Sequence, residues 1–179
     1  MKPPSPTARL FSTSAGYDLT FTRTFRASAA DVWASVTEPD RSARWFGTWK
    51  GDGAPGSTIE VQLGFEEGAP WCDMRIEACD PPRHLALTMI DESGSWHLAL
   101  FLEESGGTTE LRLIQRLENA RGIEDVGPGW EYYLDNLVAA RDQSPLPDFG
   151  AYYPAMKPYF EALEATPTHQ PDGVGSRAE

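Results

Sequence analysis

Cysteine is scarce in this chain, with only Cys72 and Cys79 among 179 residues. Both fall in one candidate strand at an odd separation, which puts them on opposite faces and excludes a bridge within that strand. Two reduced, partly buried thiols fit that placement better than a metal or redox pair. Histidine is also sparse, with His84, His97 and His169, and none has a partner at His-Cys or His-Glu ligand spacing; zinc is not expected. Basic charge is short as well, 15 Lys and Arg against 27 Asp and Glu, and the resulting net charge of -12 repels phosphate backbones and anionic lipid surfaces. No nucleic-acid partner is expected. No apolar run is long enough to span a bilayer, and residues 1–16 lack the apolar core of a secretory signal, so the expectation is a soluble, cytoplasmic protein without membrane insertion.

Catalytic signals are missing too. Glu66-Glu67, Glu103-Glu104 and Glu124-Asp125 are adjacent acids in turn-like stretches, where side chains point apart and into water. No glycine-rich phosphate loop leads from a strand into a helix. No catalytic residue, cofactor or metal is therefore expected.

What the chain does have is periodicity. Met1–Ser14 carries three prolines and no regular pattern, so residues 1–16 read as a flexible arm. From Tyr17, the residues Tyr17, Leu19, Phe21 and Phe25 alternate with polar ones, the period of a half-buried strand, and Arg23 interrupts the apolar side. Ser28 then stands three residues before Asp31, a capping arrangement for a short helix carrying Val32, Trp33 and Val36 and limited by Pro39. A second helical turn is predicted over 40–45, followed by a glycine-rich loop.

Five strands follow at hairpin spacing, over about 57–64, 70–79, 83–91, 95–103 and 108–117. Their apolar stripes include Ile59 and Val61, Met74 and Ile76, Leu87 and Met89, Trp96 and Leu98, and Leu111 and Leu113. A polar connection over 119–126 leads to Gly127-Pro128-Gly129, with the proline suited to a first turn. Trp130, Tyr133, Leu134, Leu137, Val138 and Arg141 then keep helical spacing, for a helix of about 15 residues and roughly 22 Å. Residues 144–165 form an apolar extension rich in aromatics, expected to pack on the body or on a second subunit as a homodimer. Residues 166–179 read as a disordered tail.

Phe-Thr-Arg-Thr-Phe-Arg-Ala-Ser-Ala-Ala-Asp-Val-Trp-Ala-Ser-Val-Thr-Glu-Pro-Asp-Arg-Ser-Ala-Arg-Trp-Phe, residues 21–46, resembles the opening of the heat-shock-protein ATPase activator homologue family of the SRPBCC superfamily. Gly-Trp-Glu-Tyr-Tyr-Leu-Asp-Asn-Leu, residues 129–137, is similar to that family's terminal helix. Together with the strands between, the resemblance spans about residues 17–142. It implies an α+β helix-grip, or START-like, fold over residues 17–143: a curved antiparallel six-stranded sheet wrapped around a long C-terminal helix, with two short helices after the first strand.

In such a fold the resemblance implies a cavity between the concave sheet face and the terminal helix. Met74, Leu87, Met89, Trp96 and Leu98 would contribute from the sheet, and Trp130, Tyr133, Leu134 and Leu137 from the helix. Trp45 and Phe46 would sit near the mouth. Arg23 is costly to bury without a partner, so it either orients a ligand or reaches solvent from its strand end, with Asp91 as its partner or as a second polar anchor. The competing reading is that these residues simply pack against one another. The expected function is binding of a small hydrophobic or amphipathic molecule. The alternatives are a co-chaperone-like or other protein-interaction module and, in another class, a polyketide cyclase-like enzyme; the superfamily architecture does not choose among them.

Overall fold

The structure is a computed structural model that describes residues 4–91 and 94–168, excepting the side chains of residues 90 and 91. The chain opens with β1 (Arg9–Thr13) and β2 (Gly16–Phe25), then α1 (Ala29–Thr37) and α2 (Pro39–Ser42). A short β3 (Trp49–Lys50) precedes the meander β4 (Thr58–Gln62), β5 (Trp71–Asp80), β6 (His84–Asp91), β7 (Gly94–Ser105) and β8 (Thr108–Leu117). The long helix α3 (Ile123–Asp142), the short helix α4 (Lys157–Glu161) and β9 (Ala165–Pro167) complete the described chain.

The strands form one nine-stranded sheet in the order β3-β4-β5-β6-β7-β8-β2-β1-β9. β2 closes the meander by pairing antiparallel with β8, from Tyr17 opposite Leu117 to Phe25 opposite Thr109. The sheet is curved, unclosed and mixed, because β9 runs parallel to β1. α3 lies on its concave face, which is the helix-grip arrangement.

Several local expectations change. Residues 9–13 are a strand between β2 and β9 rather than part of a flexible arm, because Ala8 and Leu10 bury their side chains while the backbone pairs with β2. The preceding prolines hide this short two-residue stripe from a periodicity reading. Likewise, residues 165–167 pair with β1 instead of belonging to a tail, while His169 and the remaining C-terminal residues lie outside the described residues. With the two-residue β3, these additions raise the count from six strands to nine.

α3 starts at Ile123, within the expected polar connection, so Pro128 lies inside the helix and not in its first turn. Buried Ile123 anchors the start, and Glu124 and Asp125 place negative charge where the helix dipole favours it. Pro128 forfeits one helical hydrogen bond, to the Glu124 carbonyl. β5 contains a bulge between Ile76 and Ala78 that also reverses an expectation. The extra residue shifts the two-residue period, so Cys72 and Cys79 both turn toward the smaller apolar cluster rather than to opposite faces.

The C-terminal extension packs on the body. Tyr152, Met156 and Phe160 are buried in the main core, and the Phe160 ring lies so close to α3 that a side chain on Gly127 would collide with it. Among the described residues, no helix is long and apolar enough to cross a membrane.

Arg23 points from β2 toward α3, where its Nη2 lies 2.8 Å from the carboxylate of Glu131, a side chain with no exposure at all. Glu131 also accepts from the backbone N–H groups of Thr7 and Ala8 at 2.5 and 2.9 Å. Glu131→Ala is expected to lower unfolding free energy in urea by about 3 kcal/mol, because it leaves a buried guanidinium short of its main partner although Asp135 still meets its Nε and Nη2. The double variant Arg23→Met/Glu131→Leu should recover only part of that loss, because the Thr7 and Ala8 amides still lack their acceptor.

Candidate functional site

A cavity of about 180 Å³ opens between the sheet and its helices, and its wall is almost wholly apolar. It lies where two cores fail to meet. The larger core joins α3 to β1, β2, β7 and β8, whereas the smaller one gathers Ile59, Val61, Met74 and Ile76 under the β4–β5 end. α3 is held over the β2 and β8 side by Arg23 and by the Trp130 indole, which donates to Gln115 Oε1 at 2.8 Å. The β4–β5–β6 side is roofed instead by α1 and the segment after α2.

That roof is aromatic. Trp33 and Val36 are three apart on α1 and face the cavity together with Trp45, Phe46 and Trp49. The Trp45 indole donates to the Ser35 carbonyl at 3.0 Å and the Trp49 indole to the Thr37 carbonyl at 2.8 Å. With their N–H groups bonded to α1, both rings present carbon to the cavity. Gly47 lets this segment press on β4, because a Cβ there would strike the Gln62 carbonyl.

The sheet supplies the floor through Met74 and Ile76, Leu85 and Leu87, and Leu98 and Leu100; Leu134 and Trp130 of α3 complete one side. Polar atoms on the wall are already engaged: Ser42 Oγ donates to the Gly47 carbonyl at 2.8 Å, and Thr37 Oγ1 to the Trp33 carbonyl at 2.9 Å. Among the described residues, no Asp, Glu, His, Lys or Arg lines the cavity. Cys79 is, and burial, reinforced by the neighbouring Asp80 charge, pushes its thiol above its ordinary value. It stands there as a neutral thiol.

Phe46 links the cavity to a second aromatic group. It stacks on Trp130 at 6.2 Å between centroids and meets Tyr133 edge-on at 5.0 Å. Tyr133 donates its hydroxyl to Glu66 at 2.5 Å, and burial followed by that carboxylate pushes the phenol upward, so it remains a donor. Phe65, beside Glu66, packs edge-on against Tyr132 and Tyr133. The 63–70 loop is thereby fastened to α3.

Of the residues expected at a site, Trp45, Phe46, Met74, Leu87, Leu98, Trp130 and Leu134 come together around this cavity. Tyr133 stands behind Phe46, and Leu137 is buried in the main core; neither is on the wall. Met89 pairs across from Trp96, both half-buried and beyond the lining, and the Asp91 side chain lies outside the described residues. Arg23 is turned to Glu131 and Asp135 and does not reach the cavity. Sequence reasoning passed over Trp33, Val36 and Trp49, although Trp33 and Val36 share a helical face. Cys79 was hidden by the bulge.

Residues 26–141 match the family described as activator of Hsp90 ATPase homolog 1-like protein. The chain belongs to this family. As an AHSA1-like SRPBCC protein it is similar in structure to CalU16 from Micromonospora echinospora, with TM-score 0.71 and 26% identity over 89% of this chain and 96% of that one. The protein encoded by BPP1335 from Bordetella parapertussis is similar over 95% of this chain and 100% of that one, with TM-score 0.69 and 23% identity. A curated relative, a CTP synthase of Methanosarcina mazei, is 31% identical over 87 residues, 49% of this chain. That match spans only 16% of the synthase's length, a share too small to carry its activity over.

The Cys79 thiol offers a direct reading of the cavity. Both causes of its shift disfavour the anion, so alkylation of Cys79 by iodoacetamide, followed by peptide mass mapping, is expected to accelerate through a pH midpoint above 9.0 in the folded protein. In urea the midpoint should fall back to the ordinary thiol value.

Proposed function

We propose that this AHSA1-like protein binds a small apolar or amphipathic molecule in the cavity between α1, α3 and the β4–β7 strands. The observation that carries this reading is the cavity itself: about 180 Å³ of space walled by indole, phenyl and aliphatic carbon. Left unfilled, such a volume forgoes at most about 4 kcal/mol at the cost per volume measured for enclosed core cavities, and less where it opens to water near Gly53. A protein of this size has a stability of only about 5–15 kcal/mol, so a void of that cost is a large concession unless a guest fills it.

The volume also limits the guest. An apolar cavity of about 150 Å³ accepts benzene, and drug-sized ligands occupy roughly 300–1,000 Å³, so one or two rings fit this one. The lining reaches the exposed Gly53, where a polar end of an amphipathic guest would meet water. Specificity would come from shape, since the wall's hydroxyls are already bonded within the protein.

Four tryptophans, Trp33, Trp45, Trp49 and Trp130, stand on the wall, so a bound ring compound should change intrinsic fluorescence. Titration with naphthalene and indole derivatives is expected to give saturable quenching and a raised melting temperature. Leu98→Trp should fill the space from the floor, weaken probe binding at least about tenfold and leave urea stability equal or higher. Unaltered probe affinity in Leu98→Trp, or no response to any apolar ring compound, would remove the basis for this reading.

A further inference from the structure

On the other side of Trp45 from the apolar cavity lies a second pocket of about 160 Å³, and its chemistry is the opposite. It is bounded by the first turns of α1, by α2 with the residues just after it, and by the last turn of α3. Three guanidinium groups, from Arg41, Arg44 and Arg141, face the single carboxylate of Asp31. This excess of positive charge sits in a chain of net charge -12.

Two of the arginines are held in place. Arg141 Nη2 lies 2.6 Å from Asp31 Oδ2, its Nη1 donates to Ser35 Oγ at 2.5 Å, and its guanidinium stands over the Phe25 ring at 5.2 Å. Arg41 Nη2 bonds the other Asp31 oxygen at 3.0 Å. One carboxylate is thus shared by two guanidinium groups, which together hold its pKa below the usual carboxylate value. Arg44 makes no side-chain hydrogen bond or ion pair with the described residues, although it faces the same pocket.

We propose that this pocket is a binding site for a small oxyanion, a phosphate or carboxylate group. Guanidinium forks match such groups through paired N–H donors, and Arg41 and Arg141, held by Asp31, Ser35 and Phe25, lose little freedom on binding, while Arg44 keeps its donors open. An anion would also relieve the repulsion between Arg44 and its two anchored neighbours. The volume leaves room for the anion and some of its water, at about 30 Å³ for each water. This site does not depend on the apolar cavity. The Trp45 indole separates the two, and its N–H is committed to Ser35.

The test is calorimetric titration of the full chain at neutral pH and constant ionic strength, using inorganic phosphate, methyl phosphate and acetate, which carry no ring for the apolar cavity, with chloride as the control. Saturable binding with a dissociation constant on the order of 1 mM is expected for at least one oxyanion. Arg44→Ala should weaken it about tenfold without altering the melting temperature, and Arg44→Lys should fall between because it keeps the charge and loses the fork. Tighter binding of methyl phosphate or acetate than of inorganic phosphate would assign the anion to an organic molecule; the reverse would assign it to the free ion. No saturation by any of the three up to about 50 mM, or identical affinity in Arg44→Ala, would overturn the proposal.

Discussion

The buried pair between Arg23 and Glu131 is the constraint around which this molecule is arranged. Its two charges come from β2 and α3, and neither could be taken out of water without the other. Around them, the Thr7 and Ala8 amides reach Glu131, and Tyr152 donates to Asp135, itself a second partner of Arg23, at 2.6 Å. Tyr159 closes the circuit by donating to the Ala8 carbonyl at 2.6 Å. The segment before β1, the sheet, the long helix and the C-terminal extension meet at one polar knot. Such a knot adds little net stability compared with packed hydrocarbon, but it specifies how four segments are placed.

That placement decides where space remains. With α3 tied at Glu131 and Asp135 to β2, the helix covers the β8–β2–β1 half of the concave face, and the β4–β6 half has to be covered by something else. The covering falls to α1 and the tryptophan-rich segment after α2. Two covers of different origin meet at Phe46 and Trp130, which stack on each other, and the cavity lies beneath the junction. The same Trp45 that walls this apolar space also backs the arginine pocket, because α1, α2 and the end of α3 converge on its other side.

The architecture was legible in the sequence because long elements announce themselves. Alternation over the meander, the Ser28 cap and the stripe from Trp130 to Leu137 are strong local signals, and the strands, the capped helix and the long helix all form, with the β5 bulge and the earlier start of α3 as departures. Short elements carry too few repeats: β1 and β9 exist because partners supply their hydrogen bonds, and nothing in five or three residues encodes that on its own. Arg23 shows the limit for the site. Its place on an apolar face is readable, but whether a buried charge meets a ligand or a carboxylate depends on Glu131, 108 positions along the chain and on the far side of the fold. The β5 bulge shows another limit, since one extra residue reversed the facing of Cys79 without leaving a composition signal.

Collapse of the cavity is opposed by its walls rather than by its contents. A void among loose leucines would shrink as side chains changed rotamer, and most of its cost would disappear. Here Trp45 and Trp49 are fixed by indole hydrogen bonds to α1 carbonyls, Trp130 by its bond to Gln115, and the floor by antiparallel pairing of β5, β6 and β7. Moving any of these rings inward would leave a buried donor and acceptor unpaired, a loss of about 1–3 kcal/mol for each group. That is comparable with the gain from filling the space. The wall polar groups, although unavailable to a guest, are therefore what keeps room for one.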